Sequence, residues 1–266
     1  MTKISFFILG FIIFFAIIFP FFYHFSGFAI NPNNILLPPS FTHIFGTDRL
    51  GRDELARICQ GARISLLIGF CSALMSSFLG LIFGISIAFL QNKISKILIL
   101  ILDLFLTIPT FFLLLSLVSY LGVNILMLII VISLTSWMFT ARLIKNQSYE
   151  ISSKPFIKIL VIAKVPKFKI FFKYFTPLLA PIFLVSFSLN VAGAILAESG
   201  LSFLGLGISS PMISLGSLIN EGRNIMDIAW WLSFFPGAII FLLSFCLIYI
   251  TDNFQVLLNK KDLQGI

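Results

Sequence analysis

Charge is scarce in this sequence. Only 11% of its 266 residues are Asp, Glu, Lys or Arg, against roughly a quarter in soluble domains. With 59% apolar residues and a mean hydropathy of +1.09, that excludes a soluble globular protein and leaves an integral membrane protein. Histidine and cysteine are scarcer still. His24 and His43 stand isolated, and Cys59, Cys71 and Cys246 show no metal or redox spacing, so no metal site is expected. The cysteines read as small packing residues. The Gly-Lys-Ser/Thr ending of a phosphate loop is missing, so no nucleotide site is expected. With no cluster of His, Cys or acids to carry chemistry, the chain is not expected to be an enzyme.

What is abundant is length of apolar run. About 20 apolar residues cross the hydrocarbon as a helix, and residues 4–23, 65–90, 97–118, 123–139, 178–197 and 230–250 meet that length. The expected fold class is all-α integral membrane with six transmembrane helices. The first run is too long for a signal peptide and lacks a clear cleavage site, so it reads as an anchor. Six spans put both termini on one side. With the termini inside, thirteen of the eighteen basic residues lie in inner segments, including Lys93, Lys96, Arg142, Lys145 and six lysines between residues 153 and 177. The excess of Lys and Arg in cytoplasmic loops then puts both termini in the cytoplasm. The net charge of +8 therefore reports topology and not nucleic-acid binding. Trp230 and Trp231 suit the outer interface, with Asp227 as the helix cap.

Ser72, Ser76, Gly80, Gly84 and Ala88 recur every four residues, so one face of the second span is a smooth stripe. Two readings fit it: packing inside the bundle, or a pore-lining or subunit contact. Asp103 and Glu198 are acids within spans or at their ends, and intramembrane acids are functional candidates. Pro109, Ser199, Gly205 and Gly207 join them as candidates for the pathway or its gate.

Two outer segments are long enough to hold structure. In "HIFGTDRLGRDELARICQGARISL", Gly46 signals a turn and Thr47 or Asp48 an N-cap. Asp53 and Arg57 have the spacing of a helical ion pair, so a short interfacial helix feeding the second span is expected. The second, "ESGLSFLGLGISSPMISLGSLINEGRNIMD", reads as a packed loop that narrows or caps a pathway.

The stretch "SKPFIKILVIAKVPKFKIFFKYFTP", residues 153–177, has six lysines and no acid. Ser152 or Ser153 is expected to cap a helix over 156–163, Pro166 to break it, and a second short helix to run from Lys167 to Pro177. A surface helix on anionic lipid is one reading. Apolar residues surround the first helix, and a docking helix for a cytoplasmic partner fits that better.

"FGTDRLGRDELARICQGARISLLIG", "ILDLFLTIP", "LTSWMFTARLIKNQ" and "GAILAESGLSFLGLG", in this order, resemble the inner-membrane permease subunits of dipeptide, oligopeptide and nickel ABC importers. The likeness spans residues 41–262. It implies a type I ABC importer permease fold in the bacterial inner membrane and a translocation pathway for small peptides or nickel chelates. The implied partners are a second homologous permease, two cytoplasmic ABC ATPases that use ATP and Mg, and an external substrate-binding protein. This chain would bind no cofactor itself. The family's outer motif falls on Gly46, Thr47, Asp48, Gly51, Arg52 and Asp53.

The resemblance also makes the basic stretch the coupling helix that fits a cleft on an ATPase, with Phe156, Ile157, Lys158, Ile159, Leu160, Lys164 and Pro166 as coupling residues. The sequence departs from the family there. The usual Glu-Ala-Ala falls on Lys158, Ile159 and Leu160, and the usual Gly falls on Lys164. A Lys at a left-handed turn costs roughly 1–2 kcal/mol relative to Gly. The expected organisation is an anchor over 1–30, a periplasmic segment over 31–64, a core over 65–252 with the coupling loop at 142–176, and a cytoplasmic tail over 253–266. An ion-driven secondary transporter or channel using Asp103 and Glu198 is the alternative, although no convincing internal repeat supports it. Few His, Met or carboxylates lie in the spans, which favours peptides over bare nickel.

Overall fold

Long apolar runs without internal breakers fold as long helices, because in lipid every backbone N–H and C=O must be satisfied within the segment. The computed structural model describes residues 2–90 and 93–264. Met1, Gln91, Asn92 and the last two residues of the expected tail lie outside the described residues. The chain runs α1 (Thr2–Ile17), α2 (Glu54–Leu90), α3 (Lys93–Thr107), α4 (Thr110–Leu121), α5 (Ile125–Ser153), α6 (Pro155–Ile162), α7 (Lys167–Ile170), α8 (Thr176–Phe203), α9 (Leu215–Arg223) and α10 (Trp231–Gln264). Among the described residues there is no strand beyond an isolated Thr47–Asp53 bridge.

Among the described residues, five helical stretches are long and apolar enough to cross a membrane: Ile4–Phe21, Glu54–Ala88, Ile125–Ser153, Phe168–Phe203 and Trp231–Val256. The sixth expected span is not one helix. α3 and α4 meet at an 87° bend. Pro109 has no N–H to donate and drives its predecessor out of the helical region. Pro109 itself sits at φ −59°, ψ 116° as the start of α4.

α2 also differs from expectation. At 37 residues it is about 55 Å long, well beyond the hydrocarbon thickness, and no separate interfacial helix precedes it. Asp53 caps it, with the Ala56 N–H donating to Asp53 Oδ1 at 2.9 Å. Nothing between 54 and 90 breaks the helix. Thr47 and Asp48 therefore do not cap it. α10 likewise begins at Trp231, past Asp227, and its far end carries the expected tail onward as helix.

α2 lies at the centre. Its four-residue stripe faces α5. A Cβ on Gly84 would sit 2.7 Å from the Ala141 carbonyl oxygen and 2.8 Å from Ile144 Cβ, and one on Gly80 would press into Thr140. Ser72, Ser76 and Ala88 are buried on the same line, and Ser133 Oγ donates to the Ser72 carbonyl at 3.2 Å. At Gly80 and Gly84 the stripe lies against α5 of the same chain. Midway along, Asn190 of α8 donates to Ser77 Oγ of α2 and Thr140 Oγ1 of α5, each at 2.9 Å, tying three helices. α1 and α10 close one flank through Ile12, Ala16, Ile240 and Leu243.

Candidate functional site

The bundle has two polar ends. One carries residues 31–53, α9 and the start of α2. The other carries α6, α7 and the lysines.

At the first end the motif "GTDRLGRDELAR" folds into a tight polar knot. Gly46 and Gly51 have φ of +77° and +70°, and a side chain on Gly51 would collide with the Asn31 carbonyl. Thr47 accepts the Leu37 N–H on its hydroxyl at 2.8 Å, and its carbonyl accepts the Trp231 indole N–H at 3.2 Å. Asp48 Oδ1 accepts the backbone N–H groups of Leu50 and Arg52 at 2.9 and 2.8 Å. Its Oδ2 accepts from Arg52 Nε at 2.6 Å and from Arg57 Nη1. Arg57 is 1% exposed, and its Nη2 reaches Glu221 of α9 at 2.7 Å.

The expected Asp53–Arg57 pair does not form. A capping residue folds its side chain over the helix end and not along the helix face. Asp53 Oδ2 instead pairs with His43 Nδ1 at 2.8 Å and accepts the Tyr23 hydroxyl at 3.1 Å. Burial, reinforced by the Asp53 carboxylate, pushes the Tyr23 phenol above its ordinary range. His43, read as isolated, is a buried partner. Sequence spacing gave no signal of either contact, since His43 and Asp53 meet across a turn.

Glu198 is fully buried near this end. Ser65 Oγ of α2 donates to its Oε2 at 2.8 Å, and Ser202 Oγ to its Oε1 at 2.7 Å. Ser65 in turn accepts the Leu215 N–H of α9 at 3.2 Å, and Ser214 Oγ donates to Ser202 Oγ at 3.2 Å. Glu198 fastens α2, α8 and α9 together. Ser199 is buried against Gly216, and Gly207 packs so close to Ser202 that a side chain there would clash. Gly205 (φ +80°) ends α8: its N–H bonds to the Ser202 carbonyl at 3.0 Å and that of Leu206 to Leu201 at 2.9 Å. Asp103 and Pro109 lie elsewhere, exposed on α3 and at its bend. The structure therefore does not gather the pathway candidates into one place.

At the second end, α5 stops because Lys154 precedes a proline and is extended (ψ 138°), and Pro155 opens α6 at a position where its missing N–H is unneeded. Ser152 and Ser153 do not cap α6; their hydroxyls bond back to the carbonyls of Ser148 and Glu150. α6 ends with the motif that ends α8. The Lys164 N–H bonds to the Val161 carbonyl at 3.0 Å and the Val165 N–H to Leu160 at 3.1 Å. The left-handed position, Gly205 in α8, is here Lys164 at φ 55°. The lysine adopts the glycine conformation and carries its strain.

α7 is not a separate piece before the fifth span. It passes through a π-helical turn, Phe171–Phe175, directly into α8. Pro177 cannot donate to Lys173, and the widened turn lets the Thr176 N–H bond to the Phe171 carbonyl instead. The stretch Phe168–Phe203 is thus one continuous span.

α6 packs inward by Ile157, joining Ile85, Ile144, Ile151, Ile170, Phe175 and Leu179 at the ends of α2, α5 and α8. Its outward side stays apolar: Ile159 is 64%, Val161 61% and Ile162 80% exposed, with Phe156 also exposed. Leu160 is half-buried, and Lys158, Lys164 and Pro166 are exposed. Phe156, Ile157, Lys158, Ile159 and Leu160 therefore lie on α6, anchored by Ile157, while Lys164 and Pro166 lie in the turn that follows it.

Residues 78–261 match the family of binding-protein-dependent transport system inner membrane components. The chain belongs to that family. The oligopeptide transport system permease protein OppC of Haemophilus influenzae is 35% identical over 257 residues, covering 96% of this chain and 83% of that one. The Bacillus subtilis dipeptide transport system permease protein DppC is 33% identical, covering 96% and 80%. Among solved structures, one of the MetNI methionine ABC transporter in an inward-facing conformation superposes with a TM-score of 0.58 at 16% identity. That match covers 74% of this chain and 96% of the other, and the likeness is one of fold. This chain is a multi-pass inner-membrane permease subunit of an ABC importer with the type I fold.

Proposed function

We propose that this permease forms half of a pathway for small peptides. A second homologous permease completes it, two cytoplasmic ATPases drive it, and an extracytoplasmic binding protein supplies substrate. The peptide reading rests on relatives that bear oligopeptide and dipeptide names over nearly the whole chain; nickel has no comparable support. The lysine-rich end lies in the cytoplasm by the distribution of basic residues, together with both termini. The knot of Asp48, Arg57 and Glu221 lies outside and presents the face toward the binding protein.

One observation carries the mechanism. The exposed apolar helix α6 leads by a four-residue turn into a helix continuous from Phe168 to Phe203. ATPases that grip α6 and α7 would move the inner end of α8 as a lever whose outer end is clamped by Glu198. ATP hydrolysis and its Mg belong to the ATPases, and this chain contributes the path and the coupling. Domain limits follow: an anchor over 1–30, an outer segment over 31–64 and a core over 65–252 that holds the coupling loop 142–176. The helical extension beyond 252 is cytoplasmic. Ion-driven carriage by Asp103 and Glu198 gains no support, since both Glu198 oxygens accept serine hydroxyls. Proteoliposomes holding both permeases and the ATPases, with binding protein outside, are expected to take up labelled oligopeptide only with internal ATP. Uptake driven by a proton gradient without ATP would refute the reading.

A further inference from the structure

The outward side of the coupling loop has a feature that docking alone does not require. Beside α6 lies a groove of about 730 Å³. Its floor is apolar, from Ile157, Val161, Val165 and Phe175, and its rim carries Lys158 and Lys164. No acid lines it among the described residues, and none occurs from Ile151 to Pro177.

Lys158 lies one turn from both Val161 and Ile162, so charge and apolar surface share one face of the helix. A helix lying on lipid separates the two, with lysines toward water and the apolar side toward the acyl chains. The inward face of α6 is already buried through Ile157 at the ends of α2 and α5. The remaining face leaves Ile159, Val161 and Ile162 exposed. A surface that is apolar and cationic at once suits a protein of opposite charge. Lysines rimming an apolar groove need carboxylates opposite them once a partner covers it, because an unpaired charge buried at an interface is costly.

We infer that this groove receives an apolar side chain of the ATPase subunit flanked by carboxylates, which pair with Lys158 and Lys164. The interface is therefore reciprocal: α6 enters the ATPase, and the ATPase enters the groove beside α6. This rests on the ATPase docking proposed above and adds the chemistry of the partner surface.

The test uses the assembled complex of both permeases with their co-expressed ATPases in uncharged detergent. A Lys158→Glu/Lys164→Glu double variant is expected to weaken ATPase binding by about tenfold or more and to abolish ATP-driven uptake. A Lys93→Glu/Lys96→Glu double variant makes the same charge change on α3, outside the groove, and is expected to stay within about twofold. Raising salt should weaken the wild-type complex and strengthen the double variant, because screening removes attraction in one and repulsion in the other. Equal ATPase affinity in the double variant overturns the inference. So does a defect confined to adhesion on phosphatidylglycerol vesicles, which would make the lysines a lipid contact. If the wild-type complex neither holds ATPases nor couples ATP to uptake, the proposed function fails first. If the wild type couples and the double variant couples equally, only the charge inference fails.

Discussion

Replacing Glu198 with alanine is expected to cost about 3–5 kcal/mol of stability and to lower the melting temperature of the purified permease by on the order of 10 °C. The side chain is fully buried and accepts hydroxyl hydrogen bonds from Ser65 and Ser202. Alanine removes both acceptors and leaves a cavity where α2, α8 and α9 meet. A buried donor without a partner costs about 1–3 kcal/mol, and the cavity adds to that. Glutamine retains one acceptor oxygen and an amide that can donate to a rotated serine, so it should recover about half the loss. Asp103→Asn, on an exposed side chain, should leave the melting temperature within about 2 °C. Thermal unfolding followed by size-exclusion fluorescence checks all three. An alanine variant as stable as the wild type would remove Glu198 from its fastening role.

Arg57→Met carries the second large effect, an expected loss of about 3–5 kcal/mol. Arg57 is almost fully buried and bridges Asp48 of the outer segment to Glu221 of α9. Glu54, also buried, adds another carboxyl to the same neighbourhood. Methionine fills much of the volume but removes the buried fork that joins Asp48 to Glu221, leaving Arg52 as the cation still paired with both. Breaking one side of a buried pair costs far more than the pair itself contributes. Lysine keeps the charge but cannot fork to two carboxylates, so Arg57→Lys should lie between. Trypsin should cut the methionine variant near Arg49 and Arg52 faster than the wild type as the knot loosens. An unchanged cleavage rate and melting point would contradict the bridging role.

The sequence made the helices legible because the membrane fixes their length and apolar character, and it made α6 legible because prolines punctuate both its ends. The left-handed turn at Lys164 (φ 55°) was signalled only by the family resemblance, which puts a glycine at that position. Polar partners were the blind spot. Arg57 was paired with Asp53 by helical spacing, yet Asp53 is the cap and its side chain turns back to His43. Glu198 read only as a pathway candidate because its partner Ser65, which also accepts from Leu215, comes from a distant segment. The bend at Pro109 and the π-helical turn before Pro177 were both signalled by a proline. Whether a proline bends a helix or is absorbed by a widened turn depends on what the freed carbonyls can reach, and pattern alone does not report that.

The central claim is that α6 touches the motor on the cytoplasmic side. The direct measurement places a single cysteine at Ile162, after replacing Cys71, the native thiol not fully buried, and treats oriented membranes holding the assembled complex with a thiol cross-linker. The account predicts a cross-link to the ATPase subunit that an impermeant thiol reagent blocks only from the cytoplasmic face. Blocking from the outer face, or a cysteine that never joins a nucleotide-hydrolysing subunit, would contradict it.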